Sequence, residues 1–269
     1  MTGPDRLAGR ACFDEVAELY DRVRPGYPTA TIADLTELAG ARAGARVLEI
    51  GCGTGQLTVP LVRLGCRLVA LELGPRLAKI AAAKLACEKV GASGTAEVLL
   101  ADFDRWPGQA NSFDLVVTAT AFHWLDPATR LARIAALLRP GGAVAVIATF
   151  HVAGGSTRFF AAARHLYRYW DPRTPPKVTL PAAEDIAFEY DLEHGGLFGP
   201  TVFRRYSWEV EYRTAEYLDL LRTYSNTLTM PPRTRHGLLH DIGALIDTRY
   251  QGRIVKRYQT ELRVAACAE

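Results

Sequence analysis

The sequence predicts an α/β fold in which helices cover both faces of a mostly parallel sheet. Between about residues 29 and 150, short uninterrupted apolar runs alternate with helical patterns. Continuous apolar strands are typical of a parallel sheet that is buried on both faces. A length of 269 residues suffices for one large domain, or for a core with a lid.

The first part of the chain contains five predicted strands separated by helices, and each strand is a short apolar run. Pro75 favours the start of a helix because proline fits the first helical turn, and Gly91 favours the end of that helix. The breaker cluster RPGG at 139–142 ends the helix before the fifth strand. The predicted helices are 29–38, 55–64, 75–90 and 127–138, and the predicted strands are 46–50, 67–71, 96–100, 113–118 and 143–149.

The pattern changes after residue 150. Residues 154–200 predict a helical excursion, then an extended proline-rich loop and another short helix. Two late strands without a helical crossover of the earlier type indicate an antiparallel edge. The predicted later elements are a strand at 201–212, helices at 214–227 and 232–248, and a last strand at 253–265. We expect an N-terminal helical lid segment at 1–39, a core at 40–150, a substrate lid or cap at 151–200, and a C-terminal part of the core at 201–269.

Composition excludes several classes of protein. The 32 basic and 29 acidic residues nearly balance, which argues against nucleic-acid or membrane partners. The five cysteines are odd in number and show no C-x-x-C spacing, so neither a disulfide framework nor a metal site is expected. Reduced thiols and an N-terminus without the apolar core of a signal peptide indicate a cytoplasmic location.

A glycine turn, VLEIGCGTGQ at 47–56, directly follows the first predicted strand. Glycine lets the backbone approach a ligand closely, and the turn lies at the carboxyl end of a parallel strand, where open sheets bind ligands. Glu72 ends the second strand and has two acceptor oxygens for the two neighbouring hydroxyls of a ribose. Gln56 stands where a dinucleotide loop would have its third glycine, so the pattern favours S-adenosylmethionine (SAM). The alternative interpretation is a tight turn with a surface glutamate.

The chain carries five motifs in the order VLEIGCGTGQLT at 47–58, LVALELGPRLAKIA at 68–81, ADFDRW at 101–106, FDLVVTATAFHWLD at 113–126 and LLRPGGAVAV at 137–146. Together they resemble the motifs of class I SAM-dependent methyltransferases, and the resemblance covers nearly the whole chain. The AFHWLD element at 121–126 and the opening FDEVAELYDRVRPGYP at 13–28 resemble the trans-aconitate-type and natural-product subgroup, which acts mostly on small molecules. The resemblance implies a Rossmann-like sheet of seven strands, the last one antiparallel, with a helical lid.

The resemblance also implies SAM as cofactor, with S-adenosylhomocysteine (SAH) as product. Glu72 would hold the ribose hydroxyls, Leu73 would pack on the adenine, and Asp102 would accept from the adenine amino group. Tyr20 and Arg24 lie in a segment that commonly closes over the cofactor and would meet its carboxylate. The residues expected at the cofactor are Tyr20, Arg24, Gly51, Cys52, Gly53, Thr54, Gly55, Gln56, Glu72, Leu73, Ala101, Asp102, Phe103, Ala119 and Ala121.

Methyl transfer from sulfur is an in-line displacement, for which placement of the nucleophile and a dry pocket supply much of the acceleration. A general base is an open question. His123 is the best candidate, His151 the second, and Tyr20 could serve a phenol or a carbon acid. Alternatively, His123 merely shapes the pocket beside Trp124, and a carboxylate nucleophile needs no base. The residues expected at the substrate are His123, Trp124, His151, Tyr167 and Trp170.

The sequence thus predicts a methyltransferase acting on an O, C or N atom of a small molecule, either a natural-product intermediate or a carboxylate. Aromatic residues at 159–170 favour an apolar or aromatic acceptor, whose carboxylate would meet Arg158, Arg164 or Arg168. The alternatives are a SAM-binding module without methyl transfer and an NAD-dependent oxidoreductase. Nucleic-acid methylation is disfavoured because TATAFHW at 118–124 lacks an Asn/Asp-Pro-Pro-aromatic element. Monomer and homodimer both stay open.

Overall fold

The computed structural model describes residues 12–88, 94–172, 179–186 and 191–268. Seven strands and nine helices organise this part of the chain. The strands are β1 (Arg46–Ile50), β2 (Arg67–Glu72), β3 (Thr95–Leu100), β4 (Phe113–Ala119), β5 (Leu138–His151), β6 (Val202–Arg213) and β7 (Arg253–Ala266). The helices are α1 (Ala17–Val23), α2 (Thr29–Ala39), α3 (Thr58–Arg63), α4 (Pro75–Cys87), α5 (Arg130–Leu137), α6 (Thr157–Trp170), α7 (Thr214–Leu221), α8 (Ser225–Leu228) and α9 (Pro232–Arg249).

The strands form one sheet in the order β3-β2-β1-β4-β5-β7-β6. Strands β1 to β5 pair in parallel, whereas β7 runs antiparallel to both of its neighbours, β5 and β6. The predicted α/β class is therefore confirmed, including the mostly parallel sheet of seven strands with an antiparallel last strand. The order reverses at β1 and β4, and ligands of open sheets bind outside the carboxyl ends of strands at such a point.

Alternate residues of the central strands build two cores, one on each face of the sheet. Val47 packs on one face with Leu115, while Leu48 packs on the other with Val116. All four side chains are fully buried. Because successive strand residues point to opposite faces, an uninterrupted apolar run can fill both cores at once. This explains why these strands lack the alternation of a half-exposed strand.

Several predicted boundaries differ from the structure. The helix predicted at 214–227 is two helices, α7 and α8, separated by an extended conformation at Tyr224. The helix predicted from residue 55 begins at Thr58, because the glycine loop continues to that point. The helix predicted at 127–138 begins at Arg130. The part of the predicted helix 75–90 beyond residue 88 lies outside the described residues, and the predicted short helix near 184 is a single 3-10 turn.

A second, helical layer follows the carboxyl end of β5. Helix α6 packs against α9, and Phe159, Tyr217 and Ile242 bury their side chains in a core that these helices share with β6 and β7. The cap helix predicted within 151–200 is therefore buried against the C-terminal helices. None of the helices in the described ranges has a stretch apolar and long enough for a bilayer crossing.

Candidate functional site

A cavity of about 880 Å³ opens at the carboxyl ends of β1, β2, β4 and β5. Its wall begins at the glycine loop and Glu72, continues past the segment after β4, and ends among aromatic side chains of α6, β6 and β7. Small-molecule pockets commonly measure about 300–1,000 Å³, so this volume lies near the upper end of the range. The cavity therefore has room for a nucleoside and for a second small molecule.

The glycine loop requires its glycines. Gly51, Gly53 and Gly55 have φ angles of 72°, 58° and 90°, in the left-handed region that favours glycine. A Cβ added to Gly51 would lie 2.6 Å from the Cβ of Ala121, so any side chain would collide there. Thr120, with a φ of 54°, turns the chain after β4. A β-branched residue rarely adopts this conformation, and such strain is typical of functional sites.

Glu72 organises the loop beside it. Its Oε2 accepts the N–H of Gly53 at 2.8 Å, and its Oε1 accepts the N–H groups of Leu73 and Gly74, each at 2.9 Å. Burial raises the pKa of Glu72, whereas the three donors oppose that shift. A carboxylate offers about four lone-pair sites, so capacity remains for further donors. The side chain can therefore shape the loop and bind hydroxyl groups at the same time.

Glu49 is a site residue that the sequence analysis missed. It lies on β1, is 1% exposed, lines the cavity, and its Oε2 has no hydrogen-bond partner. Burial and the nearby charge of Glu72 raise the pKa of Glu49 to about 7. A side-chain hydrogen bond from Thr58 opposes this shift. A buried carboxylate oxygen without a partner is costly, and such groups cluster at functional sites. An acidic residue inside an otherwise apolar strand was the signal that could have found it.

The segment after β3 contributes one wall of the nucleoside end. Ala101 and Phe103 line the cavity, and Phe103 is 2% exposed. Arg133 fixes the turn by donating to the carbonyl oxygens of Phe103 at 2.9 Å and Trp106 at 2.8 Å. The carboxylate of Asp102 accepts the N–H of Asp104 at 3.2 Å and lies outside the cavity wall.

Seven other residues predicted at the cofactor lie partly outside and partly on the cavity wall. Thr54 and Gly55 lie outside the cavity wall, and Gln56 donates to the Thr54 hydroxyl at 2.7 Å. Cys52 lines the cavity, and burial raises the pKa of its thiol, so the residue is packed and unreactive at neutral pH. Leu73, Ala119 and Ala121 all line the cavity as expected for its walls.

The N-terminal segment supplies one wall of the nucleoside end, where Phe13 and Tyr20 line the cavity. The carboxylate of Asp14 accepts the N–H groups of Arg76 at 2.7 Å and Leu77 at 3.1 Å, which caps the start of α4. Phe13 makes edge contacts with Tyr20 at 5.9 Å and with Trp124 at 6.0 Å, measured between ring centroids. These contacts tie a segment distant in sequence to both sides of the cavity mouth.

Arg24 follows in the same segment and also lines the cavity. Its guanidinium donates to the Thr223 hydroxyl at 2.9 Å and to the Thr223 carbonyl at 2.6 Å. The same group stacks 4.9 Å from the ring of Tyr20 and 4.6 Å from the ring of Tyr224. Tyr20 and Arg24, both expected at the cofactor, are therefore adjacent to each other, and Tyr20 lies close to Gly53.

The two candidate histidines line the cavity, and both are neutral at pH 7. His123 stacks beside Trp124 at 4.6 Å, and burial together with the charge of Arg130 lowers its pKa to about 4. The residue is exposed to solvent at the cavity wall, although many protein atoms lie near its ring. His151 packs against Phe160 at 4.5 Å, and burial together with Lys256 lowers its pKa to about 3.

The cap residues predicted at the substrate separate into two groups. Tyr167 and Arg164 line the cavity, whereas Arg158 and Arg168 are exposed on the outside. Trp170 lies outside the cavity wall: its indole N–H donates to Asp241 at 2.8 Å, and its ring covers Gly237 of α9. The structure thus brings together every expected substrate residue except Trp170, which joins two helices.

A further group from the C-terminal part of the chain was not expected at the site. Tyr224, Lys256 and Tyr258 line the cavity beyond His151, and the Lys256 ammonium donates to the Tyr224 hydroxyl at 2.5 Å. Lys256 alternates with Ile254 and Tyr258 on the buried face of β7. Successive side chains of this strand alternate between its two faces, so Lys256 stands at a core position. A lysine at a core position was the signal in the sequence that could have identified this group.

A glycine loop and an acidic strand end, set at the carboxyl edge of a sheet with this strand order, define a nucleoside-binding protein of the class I methyltransferase type. Residues 48–146 match the model of a family described as "Methyltransferase domain". Over these residues the chain is similar to that methyltransferase family. The predicted class, SAM-dependent methyltransferases of class I, is confirmed for this domain, and with it the expected cofactor.

Curated methyltransferases of bacteria support this assignment. An uncharacterized methyltransferase of Mycobacterium bovis is 38% identical over 135 residues, which are 50% of this chain and 51% of the relative. A ubiquinone biosynthesis O-methyltransferase of Xanthomonas axonopodis pv. citri is 39% identical over 101 residues, 37% of this chain and 41% of the relative. The chain spans about half the length of the first curated relatives that it matches.

Solved structures share the fold at low sequence identity. A protein of Anaeromyxobacter dehalogenans assigned as a type II methyltransferase superposes with a TM-score of 0.62 at 21% identity, covering 90% of this chain and 97% of that one. A phosphoethanolamine N-methyltransferase of Haemonchus contortus, solved with phosphomonomethylethanolamine and SAH, has a TM-score of 0.54 at 17% identity. The superposition covers 95% of this chain and 58% of that one. At these identities the likeness concerns the fold alone.

Proposed function

We propose that this protein transfers the methyl group of SAM to an O, C or N nucleophile of a small apolar or aromatic molecule. One observation carries the proposal: a single cavity joins the nucleoside end at Glu72 and Leu73 to an aromatic end at Phe160 and Tyr167. Cofactor and acceptor can therefore occupy one enclosed space. The O-methyltransferases among the relatives support an oxygen acceptor.

The residues present fit SAM, because the glycine loop and Glu72 both line the cavity and Glu72 keeps acceptor capacity for further donors. Glu72 would bind the ribose hydroxyls with its remaining lone pairs, and Leu73 and Phe103 would enclose the adenine. Arg24 would meet the carboxylate of the methionine part. SAM supplies an activated methyl group and a neutral thioether leaving group. The protein's task is to orient the acceptor and to exclude water.

We propose that the protein accelerates methyl transfer mainly by placing the acceptor, and not by strong general-base catalysis. A base with a pKa of about 4, such as His123, is fully deprotonated at pH 7 but accepts a proton weakly. His151, with a pKa of about 3, is weaker still. Burial also raises the pKa of Tyr20, which keeps its phenol neutral. These values support an acceptor that is already ionised or intrinsically nucleophilic, with His123 beside Trp124 as a wall of the pocket.

The described structure also supports a reducing location for the protein. Among the described cysteines, Cys52, Cys66, Cys87 and Cys267 form no disulfide bond, which fits a cytoplasmic enzyme. We propose that it acts there as a monomer or homodimer, without nucleic-acid or membrane partners.

Two measurements test the proposed function. Isothermal calorimetry with SAM, SAH and NADH is expected to show binding of SAM and SAH and none of NADH. Incubation with methyl-labelled SAM and a library of phenols, carboxylic acids and amines is expected to label at least one class. Binding of SAM without transfer to any of them would favour a SAM-binding module, and preferential binding of NADH would favour an oxidoreductase.

A further inference from the structure

The aromatic end of the cavity contains a buried, incompletely satisfied ammonium group. Lys256 is 3% exposed and lines the cavity. Within the described residues its ammonium makes one hydrogen bond, to the Tyr224 hydroxyl, although it carries three donors. Its remaining contacts are the rings of Tyr224 and Tyr258, each with a centroid 4.8 Å from Nζ. A buried charge with so few partners is costly unless a ligand supplies the rest.

No carboxylate among the described residues lies within ion-pair distance of Lys256 or of Arg24. Both cations contact the ring of Tyr224, so two positive charges share one wall without a fixed anion. Arg24 lies toward Tyr20 and the glycine loop, where the cofactor carboxylate is proposed. Lys256 lies on β7 close to Tyr258, which pairs with His151 at the end of β5. This position is away from the glycine loop.

The surroundings of Lys256 suit an aromatic molecule that carries an anionic group. Phe160, Tyr258 and Trp208 line the same part of the cavity, and Trp208 stacks on Tyr258 at 4.6 Å. His151 also lines it, and its buried Nε2 has no hydrogen-bond partner. Aromatic walls next to an ammonium, a hydroxyl and a free imidazole nitrogen match a flat apolar body with one polar end.

We propose that Lys256 and the Tyr224 hydroxyl form an acceptor subsite that binds the carboxylate of an aromatic carboxylic acid. This inference rests on the proposed function, because it assigns the acceptor end of the same cavity. Lys256 acts here as a binding residue and takes part in no covalent step. A charge-assisted hydrogen bond in a dry pocket is stronger than a neutral one, so the ionised acid is preferred over its neutral amide.

The test compares acids with their amides on SAH-loaded protein. Benzoate, 3-phenylpropionate and cinnamate are titrated by calorimetry, each beside the matching amide. We expect at least one acid to bind about tenfold more tightly than its amide, the size of one charge-assisted hydrogen bond. Lys256→Met keeps the length of the side chain and is expected to remove this preference. Lys79→Met, the same substitution on the exposed face of α4, is the matched control and is expected to keep it.

Binding of SAH is measured first in every variant, which separates the two proposals. Failure of wild-type protein to bind SAH contradicts the proposed function; intact SAH binding without any acid preference contradicts the subsite alone. Retention of the preference in Lys256→Met also overturns the subsite. If Lys256→Met does not fold, Tyr224→Phe takes its place, with the preference expected to fall at least threefold. Phenolate absorbance near 295 nm in unliganded protein at pH 7 would show that Tyr224 is ionised. An ionised Tyr224 would itself supply the anion for Lys256, and this result would overturn the proposal.

Discussion

Replacing Glu72 by Gln removes one charged oxygen and leaves the shape of the side chain unchanged. One oxygen can still accept from Leu73 and Gly74, but the new amide then faces the N–H of Gly53, donor against donor. A buried donor left without a partner costs about 1–3 kcal/mol, and each lost charge-assisted bond to a ribose hydroxyl costs about 1.5–3 kcal/mol. Because 1.4 kcal/mol is about tenfold in Kd, we expect SAH affinity to fall by about 100-fold.

Calorimetry with SAH measures this effect, and thermal unfolding of the unliganded variant separates lost binding from lost stability. Glu97→Gln provides the matched control, because Glu97 is exposed on β3 of the same sheet and lies outside the cavity wall. Its Kd is expected to equal that of the wild type. If Glu72→Gln binds SAH within about threefold of the wild type, less than 1 kcal/mol is lost, and the assignment of Glu72 to the ribose is refuted.

Three further predictions concern the lid, the buried acid and the candidate base. Asp14→Ala removes a cap that is worth about 1 kcal/mol, so the rate of SAH dissociation in stopped-flow is expected to rise about fivefold as the lid loosens. Glu49 has a pKa raised from 4.5 to about 7, so the native state binds the extra proton. This raised pKa stabilises the folded protein by about 3 kcal/mol at low pH. The stabilisation is complete below pH 4.5 and is lost as pH rises through 7. Glu49→Gln is therefore expected to flatten the dependence of the unfolding free energy on pH between 5 and 8. His123→Ala is expected to keep SAH affinity and to lose less than about tenfold in turnover, measured with an acceptor from the library, because its pKa of about 4 makes it a weak base.

Each of these expectations has a result that contradicts it. Glu15→Ala, an exposed neighbour, controls for Asp14→Ala, and equal dissociation rates in the two variants would remove the role of the cap. Identical pH profiles for wild type and Glu49→Gln would show that Glu49 titrates normally in the folded protein. A loss of turnover well above tenfold in His123→Ala, at unchanged SAH affinity, would establish His123 as a general base.

Elements with strong local signals were predicted with nearly correct bounds. Strand β1 has the predicted limits, and α9 was predicted to within one residue at its end. The helix predicted at 214–227 failed because its apolar periodicity continues through Tyr224, while the chain there turns extended to bring the side chain to the cavity. Trp170 illustrates the converse error: an aromatic residue on the cap helix was expected at the substrate, yet Asp241 and Gly237 of α9 bind it on the other side.

The sequence by itself determined the class of fold and the nucleoside end of the site. The glycine loop, Glu72 and the segment after β4 are each short stretches whose chemistry depends on neighbours in the chain. At the acceptor end the sequence predicted His123, Trp124, His151 and Tyr167, whereas Tyr224 and Lys256 were placed there by tertiary structure alone. Tyr224 reaches the cavity from the extended break between α7 and α8, and Lys256 reaches it only because β7 inserts antiparallel beside β5. Such contacts arise from the packing of distant elements, and no local pattern encodes which side chains that packing brings together.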